Sequence, residues 1–397
     1  MSGLMLEGVK IIDFTTTVAG PACSQFLSQL GAEVIKIESP VKMDDARYYP
    51  PYKGSFSISF AAANIGKRCV TIDLKKPEGV ALLKEMAKAC DVFLENYTPG
   101  TVKRLGIDYD ALKDLNPRLI MCSISAYGQT GPLSSLPGYD ATIQAMTGLM
   151  SVTGYPDRPP LRSGTLVVDV STAFCAALSI CAALYARQIS GIGTHLDIAM
   201  YDVGINLLES KFVDYANTGN IPTRTGNRFP FISPFDTYQT KDSYVMIICA
   251  GDGPFRDLCN GMGMPGLPTD ERFKDIFTRN AHEPELKKII EDWSTQFTTT
   301  EVVEKLIAAG APVAAVHDIK QAIDHPHTRA RGMLNNVEQP GVGNLVLMGP
   351  PVKATNYQVG KPGHTHGPGE DNMWLLKDIL GKSEAEIQKI NDSKVMG

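Results

Sequence analysis

Residues 8–40 read GVKIIDFTTTVAGPACSQFLSQLGAEVIKIESP. The apolar run at 9–14 predicts a β-strand, the small residues at 15–21 predict a loop, and the amphipathic pattern that follows predicts a helix up to residue 30. A second apolar run at 32–37 predicts another strand. Strand, helix and strand in this order form a βαβ unit, in which the two strands lie parallel.

The alternation continues along the chain, with strands predicted at 68–74, 92–95 and 119–125 and helices at 77–90 and 109–115. Strands that alternate with helices indicate an α/β fold with a mostly parallel, doubly wound sheet. Ligands of such sheets bind at the carboxyl ends of the strands. We therefore expect the functional residues in the loops 15–21, 96–100 and 125–139.

The pattern changes after Gly219, where prolines become frequent before a predicted strand at 244–250 and several shorter helices. Because 397 residues exceed the usual size of one domain, we predict a second, smaller α/β domain here. The predicted boundaries are 1–222, 223–320 and 321–397. Longer helices are predicted at about 170–187 and 200–215, and Ser383 with Glu386 predicts a capping box that opens a last helix.

Composition excludes several classes of partner. Formal net charge is −5, from 38 basic and 43 acidic residues, and no basic run indicates a nucleic-acid partner. Eight scattered cysteines and no secretory signal before Val9 favour a reducing, cytoplasmic location. The apolar stretch 166–186 contains Asp169 and many small residues, so we expect a buried helix and no membrane span.

Other chemistries lack their sequence signatures. The loop at 15–21 has no G-x-G-x-x-G, so we expect no nicotinamide, although Glu38 stands where a ribose-binding acid would. His364 and His366 form a close histidine pair without an evident acidic or cysteine ligand beside it, so we expect no metal. No G-x-S-x-G elbow indicates a serine hydrolase; Ser163-Gly164 is the nearest approach.

Asp169 is the single charge between Arg162 and Arg187, and valines flank it. One interpretation makes it the N-cap of the following helix, where backbone N–H groups and the helix dipole favour an anion. The other makes it a carboxylate nucleophile. The two are compatible, because N–H donors would keep a half-buried carboxylate ionised.

Several motifs together resemble the family III CoA-transferases, the group of formyl-CoA, carnitine and bile-acid CoA-transferases. The resemblance spans essentially the whole chain. The motifs are GAEVIKIE at 31–38, GKR at 66–68, ENY at 95–97 with Pro99-Gly100, YGQTGP at 127–132, and Asp169.

The resemblance implies a large Rossmann-like domain built from both chain ends, a smaller α/β domain, and an interlocked homodimer. It implies that Asp169 attacks an acyl-CoA to form a mixed anhydride, that CoA then forms an aspartyl-CoA thioester, and that a carboxylic acid takes over the CoA. Coenzyme A is thus a substrate. The positions that match the family's CoA site are Val18, Ala19, Ile72, Asp73, Lys75, Asn96, Tyr97, Thr98, Arg104 and Tyr139.

Three residues depart from formyl-CoA transferase: Val18 replaces a glutamine, Ser39 an arginine and Pro137 a lysine. That enzyme's glycine-rich loop also has no counterpart around 228–234. A larger acyl group is therefore expected rather than oxalate or formate, and Arg224 or Arg228 is a candidate partner for a second carboxylate.

Two alternatives remain open. The α-methylacyl-CoA racemases share this fold, but Tyr139 stands where they carry a histidine, and a tyrosine is a poor acid/base near neutral pH. A non-catalytic acyl-CoA-binding protein is the other alternative.

Overall fold

A computed structural model describes residues 3–360 and 363–397 of the chain. They divide into two compact units. The first comprises the residues up to Leu149, Arg162–Ala216 and Pro326–Gly397, and the second comprises Met150–Leu161 and Asn217–His325. The first unit thus contains both chain ends, and the second takes in a segment, 150–161, that the sequence assigned to the first domain.

The strands of the described residues are, in chain order, β1 (Lys10–Phe14), β2 (Glu33–Glu38), β3 (Tyr52–Lys53), β4 (Phe56–Ser57), β5 (Arg68–Thr71), β6 (Val92–Glu95), β7 (Ile120–Ser125), β8 (His195–Ala199), β9 (Phe235–Gln239), β10 (Tyr244–Ile248), β11 (Val313–Ala315), β12 (Leu334–Gln339) and β13 (Gly343–Met348).

The α-helices are α1 (Ala19–Gln29), α2 (Ile58–Asn64), α3 (Pro77–Ala89), α4 (Thr101–Arg104), α5 (Tyr109–Lys113), α6 (Asp140–Met146), α7 (Val167–Ser190), α8 (Met200–Asn206), α9 (Ser210–Thr218), α10 (Asp252–Gly261), α11 (Ile276–Ala281), α12 (Glu283–Ser294), α13 (Thr299–Ala308), α14 (Ile319–Asp324), α15 (Pro326–Ala330), α16 (Asn372–Trp374) and α17 (Glu384–Ser393). Short 3₁₀ turns lie at Asp45–Tyr48, Met150–Val152 and Leu267–Thr269, and a π-helical turn at Leu375–Ile379.

Six parallel strands form the main sheet of the first unit, in the order β5-β2-β1-β6-β7-β8. Counted along the chain within this sheet, the order is 3-2-1-4-5-6, the order of dinucleotide-binding folds. The parallel, doubly wound sheet predicted from the sequence is confirmed. The direction of strand addition reverses between β1 and β6, where Phe14 pairs with Glu95, so a ligand crevice is expected beyond those two residues.

Both faces of the sheet are covered by helices. Neighbouring residues of a strand point to opposite faces, and in β1 both Ile11 and Ile12 are fully buried. Ile12 packs into a core with α3 and residues of the C-terminal segment such as Leu375. Ile11 packs into a second core with α1 and α7. Burial on both sides explains why the strands read as continuous apolar runs.

Several features differ from the sequence prediction, and helices α2 and α6 were not predicted. The helix expected at 170–187 begins earlier and ends later, as α7, and the helix expected at 200–215 is broken into α8 and α9. Strand β8, at the sheet edge, was not predicted. The last helix, α17, opens with the predicted capping box of Ser383 and Glu386.

The second unit has its own core. Strands β9, β10 and β11 form an antiparallel sheet, and helices α10, α12 and α13 contribute apolar side chains to the cluster around Tyr238, Phe255 and Trp293. Arg279 is fully buried there and donates to Asp252 Oδ1 at 2.8 Å.

Helix α7 has the length and apolarity of a membrane span, with a mean hydropathy of 2.0 over its most apolar window. On one side, however, Ala173, Ala176, Ile180 and Leu184 are buried against α1 and the sheet. Small residues on this side allow the close approach of α1. The helix therefore forms part of the core of the first unit.

Candidate active site

A cleft of about 250 Å³ lies in the first unit, at the carboxyl ends of β1, β6 and β7. It includes the predicted switch point between β1 and β6. The structure brings seven of the residues singled out from the sequence to this cleft: Val18, Ala19, Asn96, Tyr97, Thr98, Tyr139 and Asp169.

A neighbouring cavity of about 200 Å³ shares Thr16 and Tyr97 with the cleft. Its lining includes Ile72, Asp73 and Lys75, three more of the predicted residues, together with Ser39 and Lys42. Arg104 lines neither space; its guanidinium donates to Thr101 Oγ1 at 3.1 Å. The predicted set therefore divides between two adjoining spaces, with Arg104 outside both.

The two spaces differ in charge. Among the described residues that line the cleft, the charged side chains are the carboxylates Asp45 and Asp169, and no lysine or arginine is present. The neighbouring cavity carries Lys42 and Lys75, both exposed, together with the carboxylates of Glu38, Asp44 and Asp73. Glu38 and Asp44 are buried and paired with Arg47 and Lys36. Flexible ammonium groups at the surface can bind phosphates, whereas the lining of the cleft has no cation that could do so.

Asp169 lies in the first turn of α7, which begins at Val167, and it is half-buried. Its carboxylate caps no helix, so the N-cap interpretation was wrong. That role belongs to Asp140, a buried residue of α6 whose Oδ2 accepts the backbone N–H groups of Val168 at 2.8 Å and of Asp169 at 3.0 Å. Asp140 thus fixes the start of α7 and places its own negative charge beside the catalytic candidate.

A second hydrogen bond orients Asp140. Gln144, one turn later in α6, donates from Nε2 to Asp140 Oδ1 at 2.5 Å, and its Oε1 accepts the N–H of Ser163 at 2.8 Å. Because the amide of Gln144 is used at both ends, Asp140 has little freedom to turn away from α7. The segment before α7 and the helix itself are held to α6 by this chain of bonds.

Burial, and then the charge of Asp140, raise the pKa of Asp169 from 3.8 to about 7. We expected N–H donors to keep this carboxylate ionised; that was wrong, because the donors are taken by Asp140. A carboxylate with a raised pKa is more basic than an ordinary aspartate and more nucleophilic when it is ionised. It still ionises near neutral pH.

The turn at 15–17 forms another part of the cleft. Asn96 accepts the N–H of Thr16 and donates to its carbonyl, both at 2.8 Å, so the loops after β1 and β6 are joined across the switch point. Thr17 has a φ of +70°, a left-handed conformation that β-branched residues rarely adopt. The turn leads into α1, which begins at Ala19.

Tyr139 opens α6, and its side chain is 74% exposed. Leu136, Pro137 and Met200 contribute apolar surface to the same cleft. Pro137 therefore does line the cleft, and it brings no charge to the place where formyl-CoA transferase carries a lysine.

The histidine pair near the C-terminus does have acidic neighbours, contrary to the sequence argument. His364 Nε2 lies 2.9 Å from Glu370 Oε1, and His366 Nδ1 lies 2.6 Å from Asp371 Oδ2. Asp371 also accepts from Arg68 Nη1 at 2.8 Å. The two imidazole rings are stacked in parallel, with centroids 4.3 Å apart. One ligand atom from each of His364, His366 and Glu370 lies within 4.8 Å of the other two, so these three side chains could hold a metal ion. The bond between Asp371 and Arg68 attaches the C-terminal segment to β5.

A family model described as CoA-transferase family III matches residues 6–370. The chain belongs to this family. It is similar to the acetyl-CoA:oxalate CoA-transferase of Acetobacter aceti, with 39% identity over 88% of this chain and 89% of the relative. It is also similar to the succinate–glutarate CoA-transferase of Agrobacterium fabrum, with 35% identity over 86% and 89% of the two chains. This member of family III is a CoA-transferase.

A solved structure supports the family assignment at the level of the fold. A CaiB/BaiF family protein from Brucella suis superposes with a TM-score of 0.85, at 32% sequence identity, over 95% of this chain and all of the other. The resemblance inferred from the sequence motifs is thereby confirmed.

Sequence reasoning missed several residues of the site. Met200 lines the cleft and Asp140 acts on Asp169, and neither was predicted. Thr16 and Thr17 also line the cleft; they lie in the loop 15–21 that was expected to be functional, but neither was singled out. Asp140 follows Tyr139 directly and precedes an apolar helical pattern, which is a weak signal for an acid at a helix start. No spacing rule connects it with Asp169, because the two helices meet only in the tertiary structure.

Proposed function

We propose that this family III CoA-transferase moves CoA through a covalent intermediate on Asp169. The carboxylate oxygen attacks the thioester carbonyl, the C–S bond breaks, and CoA leaves as a thiolate while a mixed anhydride forms. The thiolate then attacks the aspartyl carbonyl and releases the donor acid. The acceptor carboxylate repeats these steps in reverse, which regenerates Asp169 without net transfer of a proton.

One observation carries this proposal. Asp169 is half-buried and has a raised pKa, and it lines a cleft with six further residues that match the family's CoA site. Covalent catalysis divides the exchange into steps that keep the acyl group activated. The exchange changes no oxidation state, so we propose that it uses neither a nicotinamide nor a metal.

We propose that the phosphates of CoA lie near Lys42 and Lys75 in the neighbouring cavity and that the thioester lies in the cleft. This placement is supported by the two exposed cations of the neighbouring cavity, since the cleft supplies none, and the buried carboxylates of Glu38 and Asp44 are already paired with Arg47 and Lys36. Tyr97, which lines both spaces, would stand between the two ends of the substrate.

The acids in the names of three relatives, oxalate, glutarate and D-citramalate, are all dicarboxylic. We propose a dicarboxylic substrate here as well, and one larger than oxalate, since Val18 and Pro137 make this cleft apolar at two positions. We further propose a cytoplasmic homodimer with interlocked subunits, without a nucleic-acid or membrane partner.

A panel of acyl-CoA donors and acids tests the function directly. Acetyl-CoA and succinyl-CoA are each incubated with the purified protein and with oxalate, succinate, glutarate or a simple monocarboxylic acid. Mass spectrometry of the products is expected to show a new thioester with glutarate or succinate. Absence of any new thioester with every pair, or exchange only with monocarboxylic acids, would refute the transfer or the substrate class respectively.

A racemase gives a different result with the same samples. It would exchange the α-proton of a branched acyl-CoA with solvent deuterium and would need no free acid. Deuterium uptake without an acceptor acid would therefore contradict the transferase mechanism.

A further inference from the structure

Four backbone groups of the turn at 15–17 are held by side chains. The carbonyl of Thr15 accepts from Lys36 Nζ at 2.9 Å, and the N–H of Thr17 donates to Asp44 Oδ1 at 3.0 Å. The N–H and the carbonyl of Thr16 are both bonded to Asn96. The turn is thus held from β6 on one side and from the β2 side on the other.

The groups on the β2 side form a buried ion pair. Lys36 Nζ lies 2.8 Å from Asp44 Oδ2, and the two side chains are 1% and 0% exposed. Asp44 Oδ1 also accepts the N–H of Ala46 at 3.0 Å, and the backbone N–H of Asp44 donates to Glu38. These bonds leave the carboxylate of Asp44 one orientation in which it reaches both Lys36 and the turn.

A buried ion pair is a poor means of stabilising a fold, because an apolar pair of similar volume often stabilises as well or better. Its value lies in defined geometry. Here Asp44 accepts the N–H of Thr17, whose φ is +70°. A threonine keeps this conformation only when the surrounding structure holds it there. An unfavourable backbone conformation held by a buried pair beside a cleft is typical of positioning in an active site.

The turn determines where α1 begins. Val18 caps this helix without a side-chain hydrogen bond, and Val18 and Ala19 line the cleft with Asp169. The first N–H groups of a helix carry a partial positive charge. Small changes in the turn would therefore move the positive end of α1 relative to the place where negative charge develops on the thioester oxygen.

We propose that Lys36 and Asp44 are positioning residues: their buried pair holds the 15–17 turn in its left-handed conformation and so places the start of α1 against the thioester that Asp169 attacks. This inference rests on the proposed function of the cleft. It assigns the pair to the acylation step. Asp44 also borders the cavity proposed for the nucleotide end of CoA, but its carboxylate is buried and already bonded to Lys36 and to the turn, so we propose no direct part for it in nucleotide binding.

The test uses the full-length protein with the charge-neutral double variant Lys36→Gln/Asp44→Asn. The expected result is a fall in kcat of about 10- to 100-fold with KM for the acyl-CoA changed less than about threefold, since slight misplacement of reacting groups acts on the chemical step. Adding Thr17→Gly is expected to restore part of the lost kcat, because glycine adopts a φ of +70° without support.

A matched control makes the same chemical change elsewhere. Arg187 and Asp91 form another pair in the first unit, 2.8 Å apart and remote from the cleft lining, and Arg187 is buried. Arg187→Gln/Asp91→Asn is expected to keep kcat within about threefold of the unmodified protein. An equal loss of kcat in this control would show that general destabilisation is responsible and would overturn the proposal.

Two further outcomes decide the question. Wild-type kcat in Lys36→Gln/Asp44→Asn, or a loss that Thr17→Gly does not reduce, contradicts the positioning role. If the double variant does not fold, the single variant Asp44→Asn is used in its place. A loss of kcat in Asp44→Asn that Thr17→Gly does not reduce would also contradict the positioning role. If the unmodified protein transfers no CoA, the proposed function itself fails, and that outcome is seen before any variant is compared.

Discussion

Asp13 and Asp169 are two carboxylic acids of the first unit whose pKa values are shifted in opposite directions. Asp13, at the end of β1, is fully buried, with Lys67 Nζ at 2.9 Å and Ser24 Oγ at 2.6 Å. Burial alone would raise its pKa, but Lys67 and Lys36 outweigh burial and lower it to about 2. Asp169 is only half-buried, yet burial and Asp140 raise its pKa to about 7.

The difference lies in the neighbours and not in the depth of burial. Within the described residues, Asp13 has a lysine partner, whereas Asp169 has no lysine or arginine within ion-pair distance and has a second carboxylate nearby. A paired carboxylate is a stable anion and a weak nucleophile. An unpaired one beside a like charge is more basic, which favours Asp169 over Asp13 as the nucleophile of the proposed mechanism.

The largest expected effect comes from removing the reactive carboxylate. Asp169→Asn keeps the shape of the side chain but supplies no nucleophile, so CoA transfer should fall by roughly a thousandfold or more. A coupled assay of thioester exchange measures it. Asp292→Asn, at an exposed site on α12, is the matched control and should keep full activity. Equal rates for Asp169→Asn and the unmodified protein would remove Asp169 from the mechanism.

Breaking the paired carboxylate should affect folding. Asp13→Asn leaves Lys67 buried without its anion, and we expect a loss of about 3–5 kcal/mol in the free energy of unfolding. Asp13→Asn/Lys67→Met removes both charges and should recover part of this loss. Urea denaturation of the three proteins measures the effect. A single variant as stable as the unmodified protein would show that the pair does not support the fold.

The influence of Asp140 is expected to appear in the pH dependence. Ionisation of Asp169 should make the single-turnover rate of acylation rise as the pH passes through about 7. Asp140→Asn removes the like charge, so the rise should move to lower pH, by about half a unit or more. Burial still acts in the variant, so the pKa should stay above 3.8. An unchanged profile would exclude Asp140 as a cause.

The smallest effect is on stability. The pKa of Asp169 is about 7 in the folded chain against 3.8 for an ordinary aspartate, so the folded state holds its proton longer and stability falls as the pH rises from about 4 to 7. Asp169→Asn removes this dependence. Its Tm should exceed that of the unmodified protein by about 1–4 °C at pH 8 and by less at pH 5. A lower Tm at pH 8 would contradict the sign of the shift.

The sequence was sufficient for the parts of the fold that depend on local patterns. Buried strands such as β1 and β6 are mostly apolar, because both of their sides face helices, and they were recognised for that reason. Strand β8 was missed because it lies at the sheet edge. Four of its five residues, from His195 to Ile198, alternate between exposed and partly covered, so no apolar run results.

The site was only partly predictable. Asp169 stood out as an isolated acid, and the family motifs supplied the remaining residues of the cleft. The boundary of α7 decided the role of Asp169, and that boundary depends on Asp140, 29 residues earlier in the chain. The Lys36–Asp44 pair was not recognised either, because only the folded chain brings it under the turn at 15–17.

Trapping the intermediate shows whether Asp169 is acylated during CoA transfer. The protein is mixed with succinyl-CoA, quenched with hydroxylamine and digested, and the peptide that contains Asp169 is sequenced by mass spectrometry. We expect mass spectrometry to show a hydroxamate on the Asp169 side chain, and no hydroxamate in a sample without succinyl-CoA. Continued CoA exchange with Asp169 unmodified, or with the hydroxamate on a different residue, would contradict it.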